Sequence, residues 1–204
     1  CALLRDGLDD AGDEPTLEAT QRPPDARHAR AGHALVDVDA GLRVGELVTS
    51  LHRGGAERMF LQNVASLRTL GVGVLPIVLD RGQRSTFPAP PGTASLFEHA
   101  RGKEARLHAL QQLVRVTGID VVHAHLVDAE TLASLRKCKV PVAVTVHNTR
   151  TGWPHGYDAL TSDHATLLLA CGHAVAKELR ETTRVPIRTL PNAIERRARN
   201  EGAE

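Results

Sequence analysis

Residues 42–71 read LRVGELVTSLHRGGAERMFLQNVASLRTLG. Val44 to Val48 is an apolar run of strand length, and it breaks into the turn-rich Thr49-Ser50-Leu51-His52-Arg53-Gly54-Gly55. From Ala56 to Leu70 the apolar side chains Met59, Phe60, Val64, Leu67 and Leu70 recur at the spacing of one helical face. Gly71 then stands where a glycine ends a helix. A buried strand passing through a tight turn into an amphipathic helix is half of a βα unit, and the rest of the chain continues the alternation.

Val72 to Leu79 (VGVLPIVL) predicts the second strand, with Pro76 predicting a bulge or an irregular end. Residues 80–95 hold Gly82, Pro88, Pro90, Pro91 and Gly92 and predict a long loop. Helices are predicted over Lys103–Thr117, stopping at Gly118, over Ala129–Lys137 and over His173–Thr182. Strands are predicted over Asp120–His125, Val140–His147, Ala165–Ala170 and Ile187–Leu190. This alternation predicts an α/β fold over 42–195: a Rossmann-like, three-layer αβα domain with a mainly parallel sheet covered on both faces. No internal repeat is visible.

Residues 1–42 have a different texture. They carry nine acidic and four basic side chains, and Pro15, Pro23 and Pro24 interrupt any helix. Residues 1–41 are expected to be a mobile acidic leader, with a short helix over Leu3 to Asp10 as the alternative. Residues 196–204 read as a tail or the start of a linker. The chain starts at Cys1 and its one Met is Met59, the pattern of a processed, trimmed or partial chain.

Composition excludes several function classes. At 204 residues and 42% hydrophobic, the chain can bury a core, so disorder and fibrous classes are out. A net charge of +1 and 2% aromatics argue against a nucleic-acid partner. Only four of the 25 basic residues are Lys, a bias of coding composition rather than of function. Cys1, Cys138 and Cys171 lie far apart with no CxxC pair, which disfavours a disulfide framework or thiolate zinc site and points to a cytoplasmic protein. No apolar run reaches the ~20 residues of a bilayer span, and no signal-peptide pattern opens the chain.

Three constellations can carry chemistry. In the first, Gly54 and Gly55 let a backbone approach a ligand at a helix N-terminus, and Arg53 offers a forked donor for phosphate. A plain strand-to-helix turn explains the same glycines. The pair matches neither G-x-G-x-x-G nor the Walker pattern, which disfavours ordinary dinucleotide or P-loop binding. In the second, His123 and His125 close a buried strand and His147, followed by Asn148, closes the next, so the three can meet in the crevice beyond the strand ends. A zinc site and a hydrogen-bonded cluster both suit three histidines. With no carboxylate evidently paired to them, no metal is expected. In the third, Leu190-Pro191-Asn192-Ala193-Ile194-Glu195 is either an exit turn or a hinge at Asn192.

Five stretches in order, VTSLHRGGAERMFL (48–61), IDVVHAHL (119–126), VPVAVTVHN (140–148), ACGHAVAKEL (170–179) and LPNAIE (190–195), resemble the N-terminal half of a retaining glycosyltransferase of family 4 with the GT-B fold. The resemblance spans about 150 residues. It implies an acceptor-side domain that faces a donor-binding domain across a cleft. It implies that Gly54 and Gly55, with Arg53, meet the diphosphate of a nucleotide-sugar donor, and that His125 is the catalytic position, polarising or placing a donor hydroxyl. His123, His147 and Asn148 would line the same floor, and Glu57 would fix the glycine turn or cap the helix. No cofactor is implied beyond the nucleotide sugar as co-substrate.

The departures are informative. The family's Pro-Asn-Gly hinge reads Pro191-Asn192-Ala193, and no two glutamates stand eight positions apart as the donor half would have them. The expected function is therefore the acceptor-side half of a transferase acting on a glycan, lipid-linked or small-molecule acceptor, inactive without a donor-binding domain or chain. The alternatives are a non-catalytic glycan or nucleotide-sugar binding module, one subunit of a split enzyme, and a zinc hydrolase built on His123, His125 and His147. Arg101, Lys103 and Arg106 open an amphipathic segment that leaves peripheral membrane contact open, though core packing explains its apolar face more simply.

Overall fold

Among the described residues seven parallel strands form one sheet, side by side in the order β3 (Ala94–Ser95), β2 (Gly73–Val78), β1 (Arg43–Val48), β4 (Val121–His125), β5 (Val142–Val146), β6 (Leu167–Ala170) and β7 (Ile187–Thr189). The computed structural model describes residues 41–81 and 86–191. The leader up to residue 40, the alternative helix over Leu3 to Asp10, the hinge residue Asn192 and the 196–204 tail lie outside the described residues.

The apolar run of the opening stretch is β1 (Arg43–Val48), and its helical period is α1 (Gly55–Thr69). Leu70 caps α1. Gly71 takes φ +76° and its N–H reaches the Arg68 carbonyl while that of Val72 reaches Leu67, a Schellman closure that only a residue at ease in the left-handed region makes cheaply. Then come β2 (Gly73–Val78), β3 (Ala94–Ser95), α2 (Leu96–His99) and α3 (Lys103–Thr117), which ends on left-handed Gly118. The second half of the sheet is β4 (Val121–His125), α4 (Ala129–Arg136), β5 (Val142–Val146), β6 (Leu167–Ala170), α5 (His173–Thr182) and β7 (Ile187–Thr189).

Register assigns the two faces. Leu47, Val122, Ala124, Val142 and Val144 turn to one side and pack with Leu110 and Val114 of α3, Leu132 and Leu135 of α4, and Ala176 and Leu179 of α5. Val48 and Val78 turn to the other, against Phe60 and Val64 of α1. Among the described residues α3, α4 and α5 cover one face and α1 the other, which makes the three layers. Each fully buried leucine in this core contributes roughly 1.5–3 kcal/mol.

Two expectations are corrected. Pro76 makes no bulge: it pairs in register with Glu46. Gly73 and Leu79 both donate to β1, so the nitrogen of Pro76, three residues from each, faces the opposite edge, where β3 pairs only Ile77 and Val78. A missing N–H there removes no ladder bond. The loop expected over 80–95 ends in β3, and α2 follows it.

Candidate functional site

Chain direction across the sheet reverses between β1 and β4, and the residues with chemistry gather at that switch point. Glu46 lies opposite His123, and His125 lies opposite both Val48 and Thr145, so Glu46, His123, His125 and Thr145 share the face beneath α1. Glu46 and His125 are fully buried. One carboxylate oxygen of Glu46 is 2.9 Å from His123 Nδ1 and the other 3.1 Å from His125 Nε2. His123 Nε2 meets the Thr145 hydroxyl at 2.7 Å, and His125 Nδ1 meets His147 Nε2 at 3.0 Å. The His147 ring stacks on His125 at 5.2 Å, while Phe60 presents its ring at 6.0 Å, near perpendicular. At Leu126 the chain leaves β4 with φ +56°, its carbonyl held by the Thr49 hydroxyl at 2.5 Å.

The expectation that no carboxylate pairs with these histidines is overturned by Glu46. A carboxylate set between apolar residues in a strand read as buried needs a partner, and that was the available signal. Burial pushes the Glu46 carboxyl up, but hydrogen bonds from His123 and His125 outweigh it and hold the group below the usual carboxylate range. Burial pushes His125 down, only partly opposed by Glu46. His147 falls to about 4 through burial and its histidine neighbours. An ionised Glu46 beside a neutral His125 and a neutral His147 follows at neutral pH.

Glu46, His123 and His125 hold donor atoms within 4.8 Å of one another, and these are ligand types that zinc takes. Those atoms already face each other at hydrogen-bond distance, so the three form a set that closes on itself.

Gly54 and Gly55 open α1 as its N-cap and first residue. Gly54 is extended (φ −139°), and a Cβ on it would strike the buried carboxylate of Glu57. Gly55 is exposed, and a Cβ there would meet nothing. Arg53, Gly54, Gly55, Arg58 and Phe87 line a hollow of about 400 Å³, with the Arg53 guanidinium 5.9 Å from the Phe87 ring centre. The structure thus places the predicted residues in two groups, the glycine turn and the histidine cluster, joined through α1 by the Phe60–His125 contact. Asn148 belongs to neither: its amide donates to the Gly152 carbonyl, and its own carbonyl accepts from Trp153 Nε1. Among the described residues no helix is long and apolar enough to cross a membrane.

Residues 53–197 match the family model described as Glycosyltransferase Family 4. No match was found among curated proteins. Among solved structures, Anabaena Alr3699/HepE in complex with UDP aligns at TM-score 0.50 and 14% identity, over 75% of this chain and 44% of that one. A glycosyltransferase from Rickettsia africae ESF-5 aligns at TM-score 0.49 and 12% identity, over 76% of this chain and 44% of that one. The chain therefore spans less than half the length of these structures.

Proposed function

The chain belongs to glycosyltransferase family 4, and from that premise we propose that it is the acceptor-side half of a retaining transferase. Such an enzyme moves a sugar from a nucleotide-sugar donor to a glycan, lipid-linked or small-molecule acceptor. The observation that carries this reading is the open space at Gly55. No described neighbour demands a glycine there, yet its lack of a side chain leaves the first N–H groups of α1 open beside Arg53 and Arg58. Free helix-terminal N–H groups flanked by guanidinium groups suit a diphosphate. UDP is a fitting probe because HepE, of the same fold, was crystallised with it.

Charge stabilisation of a leaving diphosphate requires donors on both of its sides, and one domain supplies one side. The 204-residue chain alone is expected to bind UDP weakly, through the Gly55 and Ala56 amides, since the Gly54 N–H is taken by the His52 carbonyl, and to transfer no sugar. Amide shifts during a UDP titration test the first statement: unmoved amides at millimolar UDP would remove the site. Incubation with nucleotide sugars and an acceptor tests the second, and robust turnover would defeat it.

A further inference from the structure

A buried carboxylate that grips two imidazoles does more than fill space, because it decides which ring nitrogens carry protons. We propose that Glu46 is a positioning residue which, through His125, fixes His147 with its proton on Nε2 and its Nδ1 bare, as a hydrogen-bond acceptor facing whatever enters the site.

The argument follows the protons outward. A carboxylate only accepts, so the nitrogens facing it, His123 Nδ1 and His125 Nε2, both donate. A neutral His125 that donates from Nε2 has a lone pair on Nδ1. The atom opposite that lone pair, His147 Nε2 at 3.0 Å, must then donate. A neutral His147 that donates from Nε2 keeps its lone pair on Nδ1. Among the described residues that nitrogen has no protein partner, and the single buried side-chain polar atom without one is the Tyr157 hydroxyl, so His147 Nδ1 is open to solvent. The histidine that can touch a ligand is therefore His147 at the rim, while both nitrogens of the fully buried His125 are spent on Glu46 and His147. On the reading proposed above, the ligand group it accepts from is a sugar hydroxyl.

The experiment reads imidazole nitrogens directly, by long-range ¹H–¹⁵N correlation on histidine-labelled full chain at neutral pH. The wild type is expected to show His125 and His147 both protonated on Nε2 only. A proton on His147 Nδ1 would overturn the proposal. Glu46→Gln is nearly isosteric but offers one acceptor and one donor. One of the two nitrogens facing residue 46 must then give up its proton, and His147 must reverse whenever His125 does. Reversal of His125 together with His147, or of His123 alone, supports the relay. No change at either histidine facing residue 46, or a reversed His125 beside an unchanged His147, sinks it. Adding UDP-glucose is expected to shift His147 Nδ1. If the tautomers are as stated and UDP-glucose moves nothing, the sugar-hydroxyl reading of the site fails and the relay stands.

Discussion

Gly54 and Gly55 are adjacent and identical, yet they are glycines for different reasons, and stability separates them. Gly54 has an extended backbone that any residue adopts, so its constraint is the Glu57 carboxylate lying over it. Gly54→Ala is expected to cost about 1 kcal/mol, most of which disappears when Glu57→Ala is made as well, a coupling that urea denaturation of the double-mutant cycle measures. Gly55 is a helical residue in open space, so Gly55→Ala should raise stability by roughly 0.4–1 kcal/mol. The same substitution should abolish the UDP-induced amide shifts. A Gly55→Ala variant that is destabilised, or that still binds, would show that its glycine serves the turn and not a ligand. The sequence displayed both glycines but not this difference, which rests on where one carboxylate folds. Glu46 was equally visible and equally unread. Its strand looks buried because of its neighbours, and its partner His123 is 77 positions away across a strand pairing that periodicity does not reveal.

Elements were legible where their periods ran long enough. The spacing over Lys103–Thr117 and His173–Thr182 predicts α3 and α5 with the bounds observed: left-handed Gly118 stops the first, and the second stops at extended, buried Thr183, whose hydroxyl donates to the Leu160 carbonyl. β3 pairs two residues and α2 is a single turn, too short for any period to appear. The start of α4 depends on one side chain. Asp128 accepts from the Thr131 N–H at 2.9 Å and from its hydroxyl at 2.6 Å, and also receives Lys103 Nζ from α3. Asp128→Ala is expected to cost about 0.5–2 kcal/mol, since the cap satisfies an otherwise orphaned donor. Lys103→Met should cost at most about 1 kcal/mol, because its ion pairs are exposed and screened. Thermal melts of the two variants in low and high salt separate cap from ion pair. If Lys103→Met proves the costlier change, the cap argument is wrong.

At the scale of the whole molecule, the buried network ties protonation to folding, because Glu46, His125 and His147 come from β1, β4 and the end of β5, which meet only in the folded sheet. Every resolved shift in the cluster has the same sign. His147 titrates near 4 when folded and near 6.5 when unfolded, and His125 is displaced in the same direction. Between those values the unfolded chain binds protons that the fold refuses, so stability falls as pH drops from about 6.5 toward 4. Glu46 adds to the loss at the acid end: its folded value lies below the ordinary carboxylate, so its contribution is present above about 4.5 and lost as pH falls through the folded value. With discount for the partial exposure of His147, its share of the loss is on the order of 1–2 kcal/mol. His147→Gln removes that titration and keeps a hydrogen-bonding group beside His125. Urea midpoints measured from about pH 7.5 to about pH 4 should therefore decline less steeply in the variant than in the wild type, with the curves diverging below about pH 6.5. Parallel curves across that window would mean that His147 is not held neutral by the fold. The acceptor it presents to a ligand would then be lost at the same time, because a protonated ring has no lone pair to offer.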